Sequence, residues 1–169
     1  MELWPNFFIV GAMRSGTTTL HAYLKNQPDV YMPDEKEPVY FSTLPSIFSG
    51  RQLTKEEYLT LFDNVKNEKA IGEASIQYLR DPLSHKRIFE KLPQAKIIII
   101  LRNPVFRAFS QYLAIWSIKK ISISEEIRKD AKRMDENDLE NDNPLAYGLY
   151  YNQIKRYLNK FGSNQVRIF

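Results

Sequence analysis

Phe7-Phe8-Ile9-Val10-Gly11-Ala12-Met13-Arg14-Ser15-Gly16-Thr17-Thr18 is the stretch that decides the fold. Asn6 to Val10 is a short apolar run that stops at Gly11, as a buried strand does. From Thr18 to Asn26, Leu20, Tyr23 and Leu24 recur at helical spacing. Between strand and helix, Gly11 and Gly16 have the spacing of a P-loop. Such a loop turns successive backbone N–H groups toward one point, and the helix N-terminus adds partial positive charge, so a phosphate binds there. The candidate contacts are the backbone of Ser15 and Gly16, the hydroxyls of Thr17 and Thr18, and the planar guanidinium of Arg14. The plainer alternative is a glycine turn that only joins strand to helix.

The loop departs from a nucleoside-triphosphate P-loop in a way that carries information. That motif has lysine after its second glycine, where this chain has Thr17. It also pairs with an apolar strand ending in a magnesium-binding aspartate. The best strand here, Lys96 to Leu101, is rich in isoleucine and ends in Arg102. A cation at that position repels Mg²⁺ and attracts a second phosphate. The expected ligand therefore carries phosphates at two places and needs no metal.

Outward from these motifs, the pattern is strand alternating with helix. Ala70 to Ser75 reads as a strand end, and Val166 to Phe169 as the start of another strand. Helices are expected over Lys55–Asp63, Pro82–Leu92, Pro104–Lys119 (capped by Asn103), Ser124–Met134 and Pro144–Phe161. The segment between Pro28 and Pro33 reads as irregular, and 135–143 as a mobile polar loop. The expected architecture is a three-layer, P-loop-like α/β fold, a central parallel sheet flanked by helices. It forms a single domain over 1–169. The chain stops inside its last strand, which suggests that a C-terminal part is missing.

Composition narrows the chemistry. The chain has no cysteine, so disulfides, thiolate metal sites and a cysteine nucleophile are excluded. With only His21 and His85, a histidine-rich metal site is not expected. The N-terminus lacks the features of a signal peptide, and the longest apolar run, Ile97 to Leu101, cannot cross a bilayer. The default location is cytoplasmic. The net charge is +4, but Ser124 to Asn143 holds eight acids and four bases, which leaves +8 on the remainder. A basic body suits an anionic ligand. The basic residues are not interleaved with aromatics along one stretch, so nucleic acid is not the expected partner.

At this point the residues resemble a known family, the sulfotransferases that use 3′-phosphoadenosine 5′-phosphosulfate (PAPS). Gly11 to Thr18 is similar to the family's loop for the 5′-phosphosulfate. Leu101 to Tyr112 is similar to its 3′-phosphate motif, with Arg102 at the strand end and Ser110 about two turns into the following helix. Arg107 within that motif is expected at the surface. Lys36-Glu37-Pro38-Val39-Tyr40-Phe41 resembles a segment of the branch that includes heparan-sulfate and bacterial sulfotransferases. Gly72-Glu73-Ala74-Ser75 with Tyr78, and Tyr147-Gly148 with Tyr151, match the same branch. Arg14 stands where many members have lysine.

The resemblance implies sulfuryl transfer from PAPS, without metal, to a hydroxyl or amine of a small-molecule or glycan acceptor. It makes Glu37 the general base, in place of the histidine of the cytosolic small-molecule branch. Arg14 would stabilise the departing phosphate, and Lys36 is a candidate sulfate contact. Glu37 could instead be a solvated loop residue, and Glu73 an orienting group. His21 and His85 are expected as surface or packing residues. The competing readings are a P-loop nucleotide kinase and a catalytically silent nucleotide-binding module.

Overall fold

A computed structural model describes residues 2–136 and 143–169. Five strands, β1 (Phe7–Gly11), β2 (Val30–Tyr31), β3 (Ala70–Ala74), β4 (Lys96–Ile99) and β5 (Val166–Ile168), form one sheet in the order β2-β3-β1-β4-β5. Every pairing in it is parallel. The helices are α1 (Thr17–Lys25), α2 (Lys55–Thr60), α3 (Gln77–Arg80), α4 (Ser84–Lys91), α5 (Pro104–Lys119), α6 (Ile123–Asp135) and α7 (Tyr150–Phe161).

The alternation of β1 sorts its side chains to two faces. Phe7 and Ile9 pack with Met32 and Ala74 under Leu20 and Leu24 of α1. Phe8 and Val10, with Ile97 and Ile99 of β4, face a larger core. That core takes in Tyr58 of α2, Tyr78 and Leu79 of α3, Ile88 of α4, and Tyr157 and Phe161 of α7. Helices thus cover both faces, the three-layer α/β arrangement read from the sequence. β1 lies between β3 and β4, so the chain first builds one side of β1 and then crosses to the other. The crevice beyond the carboxyl ends of β1 and β4 is the topological switch point, where sheets of this kind hold ligands.

Several local readings change. Val30–Tyr31, expected as irregular, pairs with Ala70–Ile71 as an edge strand, too short to give a periodic signal. Helix α3 was not foreseen, because its four residues are fewer than a helical pattern needs. Helix α4 starts at Ser84 and not at Pro82, since the Asp81 carboxylate accepts from the Leu83 N–H (2.9 Å) and the Ser84 hydroxyl (2.8 Å) and turns the chain there. Ahead of α7, Ala146–Gly148 forms a 3₁₀ turn. Gly148 there presses on Pro104, whose Cβ lies 2.9 Å from where a Gly148 Cβ would sit. Of the polar loop expected over 135–143, positions 137–142 lie outside the described residues.

Arg107 is the clearest correction. It is completely buried, not a surface residue. Its guanidinium donates to Gln111 Oε1 (2.7 Å) and to the Pro144 carbonyl, tying α5 to the chain that leads into α7. Four residues separate Arg107 from Gln111, so the two share the buried face of α5 with Ala108 and Tyr112. Arg107→Leu strands two acceptors, each costing about 1–3 kcal/mol. The urea midpoint should fall with an unchanged slope, whereas an unchanged midpoint would refute this role.

Candidate active site

The phosphate loop begins where β1 ends. Gly11 sits at φ 149°, and a Cβ there would lie 2.8 Å from Leu79 Cβ and 3.3 Å from the Ile76 carbonyl, so a side chain has no room. The loop is tied to the neighbouring strand end by Ala12 N–H to the Ile100 carbonyl (2.7 Å) and Ile100 N–H to the Gly11 carbonyl (2.8 Å). Arg14 is left-handed at φ 62°, and Gly16 caps α1 at φ 94°. No side chain caps this helix N-terminus. Ser15 Oγ is buried and has no partner among the described residues. Arg14, Gly16 and Thr18 are exposed, while Thr17 is buried. An uncapped N-terminus beside an unpaired buried hydroxyl fits a phosphate.

The second motif is brought to the same place. Arg102 follows β4, and its Nη1 donates to the Arg14 carbonyl (3.3 Å). Asn103 caps α5 by accepting from Val105 N–H at 3.0 Å, which aims the helix away from the strand end. Ser110 on α5 then meets the loop, its Oγ accepting from Arg14 Nε at 3.1 Å. Residues 88 and 96 positions apart in sequence thus converge on one cationic patch. Tyr150 adds a support the sequence reading missed, its hydroxyl donating to the Arg102 carbonyl at 3.0 Å. Tyr151, the tyrosine of the sequence motif, is 73% exposed. Two adjacent tyrosines at a helix start give no sequence basis for choosing between them.

Lys36 and Glu37 lie beyond β3, on the other side of the loop. Glu37 stands on left-handed backbone at φ 66°, as does Val39 at φ 49°. The Glu37 N–H donates to the Ala74 carbonyl (3.0 Å), and Ile76 N–H donates to Glu37 Oε2 (2.7 Å). Lys36 pairs with Glu37 Oε1. Glu37 is buried, so the alternative of a solvated loop glutamate is overturned. Burial raises its carboxyl above the ordinary glutamate value, against the lowering effect of Lys36 and the Ile76 amide. Ile76 joins the two sites, holding Glu37 through its N–H while its carbonyl packs against Gly11.

Behind Glu37, Glu73 is fully buried on β3 and accepts from three hydroxyls, those of Ser75 (2.6 Å), Tyr78 (2.9 Å) and Tyr58 (3.1 Å). Burial outweighs these bonds and pushes its carboxyl up to about 7. Tyr58 escaped the sequence reading because it sits on the apolar face of a short helix, where a tyrosine reads as core. His21 is buried against the Pro33 carbonyl (3.1 Å). His85 packs edge-on to Tyr157 with ring centroids 5.8 Å apart. Among the described residues no group of three or more His, Asp or Glu is placed to hold a metal ion, and no helix is long and apolar enough to cross a membrane.

The family model described as sulfotransferase domain matches residues 5–169. The crystal structure of a sulfotransferase from Alicyclobacillus acidocaldarius superposes with a TM-score of 0.87 at 38% identity, covering 99% of this chain and 73% of that one. The membrane-associated sulfotransferase kil1 of Dictyostelium discoideum is 37% identical over 108 residues, which are 64% of this chain and 22% of that protein. The bifunctional heparan sulfate N-deacetylase/N-sulfotransferase 1 of Caenorhabditis briggsae is 26% identical over 179 residues, covering 96% of this chain and 20% of that protein. The chain therefore spans about a fifth of the length of these two relatives.

Proposed function

Because the chain belongs to the sulfotransferase domain family, we propose that it transfers a sulfuryl group from PAPS to an acceptor hydroxyl or amine, with Glu37 as the general base. The observation that carries this reading is the order of groups along the sheet's carboxyl edge. Glu37 lies beyond β3, the phosphate loop beyond β1, and Arg102 with Ser110 beyond β4. A nucleotide with phosphates at its 5′ and 3′ positions fits the last two, and an acceptor approaching the 5′ end meets the first.

When bound, the donor supplies the sulfuryl group. The acceptor–sulfur bond forms as the bond from sulfur to the bridging phosphate oxygen breaks, and the electron pair stays on that oxygen. Arg14 and the N–H groups of Gly16 and Thr17 stabilise the charge growing there. Glu37 takes the acceptor's proton, and its raised proton affinity makes it a stronger base than an exposed glutamate. Lys36, paired with the Glu37 carboxylate, would exchange that partner for the sulfuryl oxygens. Arg102 and Ser110 hold the 3′-phosphate and so fix the register of the nucleotide.

The acceptor class follows from the relatives in name only. The Caenorhabditis briggsae relative is a heparan sulfate N-deacetylase/N-sulfotransferase by name, and a glycan is the first acceptor to try. The test is transfer of labelled sulfate from PAPS to N-desulfated heparan sulfate or a simple phenol with EDTA present, beside a parallel assay with labelled ATP and Mg²⁺. Transfer is expected and should not depend on metal, since Arg102 occupies the strand end where a nucleotide kinase places its magnesium-binding acid. Magnesium-dependent phosphoryl transfer from ATP, with none from PAPS, would overturn the reading in favour of a kinase.

A further inference from the structure

Glu73 lies one layer behind the acceptor side of the site, and no step so far uses it. Its two carboxylate oxygens take hydrogen bonds from three hydroxyls. Two of those hydroxyls are also acceptors. Ser75 Oγ receives the Val39 N–H at 3.1 Å, and Tyr78 Oη receives the Phe41 N–H at 3.2 Å. A hydroxyl has one proton to give, so its partner decides where that proton points. With Glu73 taking the protons of Ser75 and Tyr78, their lone pairs are left for Val39 and Phe41. These two amides belong to the segment that carries Glu37, where Glu37 and Val39 both hold left-handed backbone. Such a conformation in non-glycine residues is strained and persists only where the surroundings enforce it.

We propose that Glu73 is a positioning residue: by fixing the donor direction of Ser75 and Tyr78, it clamps the Val39 and Phe41 amides and so holds the Glu37 carboxylate in place. The inference rests on the reading of Glu37 as the base. The ionisable groups that face Glu73 come from every element around it: Tyr58 of α2, Tyr78 of α3, Tyr157 of α7, and Glu37 of the segment it clamps, with Lys36 beside Glu37. Glu37 and Glu73 repel each other, which helps to keep proton affinity high at this end of the site. Protonated Glu73 would have to donate, and one hydroxyl would have to turn away. The clamp therefore works with Glu73 ionised.

Glu73→Gln is the discriminating change, because an amide offers one acceptor atom and one donor group where the carboxylate offers two acceptors. Amide exchange at Val39 and Phe41 is expected to accelerate at least about tenfold, while amides of β1 and β4 keep their rates. Affinity for 3′-phosphoadenosine 5′-phosphate should stay within about twofold, and turnover on N-desulfated heparan sulfate should fall about tenfold or more with KM for PAPS unchanged. Tyr78→Phe, the milder variant, should free Phe41 and leave Val39 protected. Unchanged exchange at both amides in Glu73→Gln overturns the inference, as does equal acceleration everywhere in both variants. The base itself is judged separately, by turnover in Glu37→Gln. Normal turnover there removes the base reading, whatever the exchange at Val39 and Phe41 shows.

Discussion

Glu37→Gln is expected to lower turnover by about 10²–10⁴-fold, the usual contribution of a general base. Glutamine keeps the side-chain length and an oxygen to accept from the Ile76 N–H, so the 2.7 Å contact that seats the residue survives. What is lost is basicity and the charge that pairs with Lys36. Affinity for 3′-phosphoadenosine 5′-phosphate should hardly change, because Glu37 lies beyond β3 and the phosphate contacts lie beyond β1 and β4. The pH profile gives a second signature. Only ionised Glu37 can accept a proton, so turnover rises with pH through its carboxyl titration. Burial raises that titration, so the acid limb should lie above the ordinary glutamate range. In Glu37→Gln the limb should disappear. Intact nucleotide binding with intact turnover would eliminate Glu37 as the base.

Arg102→Ala is expected to erase the preference for 3′-phosphoadenosine 5′-phosphate over AMP. A hydrogen bond to a charged group contributes about 1.5–3 kcal/mol, roughly 10- to 150-fold in affinity. AMP lacks the phosphate that Arg102 and Ser110 would hold, so AMP binding should change little. Any change would reflect the lost bond from Arg102 to the Arg14 carbonyl, which is exposed and therefore weak. Ser110→Ala should reduce the preference less, since it removes a neutral hydroxyl. Calorimetry on the three proteins with both nucleotides checks this. A discrimination that survives in Arg102→Ala would place the 3′-phosphate elsewhere.

Much of this arrangement was legible because the deciding signals are local. Gly11 and Gly16 between an apolar run and a helical pattern specify a strand, a loop and a helix within a dozen residues. Arg102 after the isoleucine run, with Asn103-Pro104 behind it, marks a strand end and a helix start. The all-parallel sheet follows from alternation of the two element types. Less legible was whatever depends on distant partners. Arg107 looks like any helix arginine until Gln111 and the Pro144 carbonyl are brought to it. Its burial shows up only in tertiary structure. Glu37 carries no mark of burial in its own segment, because the Ala74 carbonyl and the Ile76 amide that seat it come from β3 and the turn after it. The Glu73 cluster draws its hydroxyls from α2, α3 and the β3 end, and no spacing links Tyr58 to Tyr78.

On the reading proposed here, two phosphate sites and a base share the carboxyl edge of one parallel sheet. The most direct test is a crystal structure of the protein with 3′-phosphoadenosine 5′-phosphate. The 5′-phosphate is expected over the amides of Gly16 and Thr17, with the unpaired Ser15 Oγ as a donor to it. The 3′-phosphate is expected between Arg102 and Ser110, with Arg14 turned from Ser110 toward the 5′ end and Glu37 facing the 5′-phosphate from the β3 side. A nucleotide bound away from the Gly11–Thr18 loop, or one whose 3′-phosphate points into solvent, would contradict it.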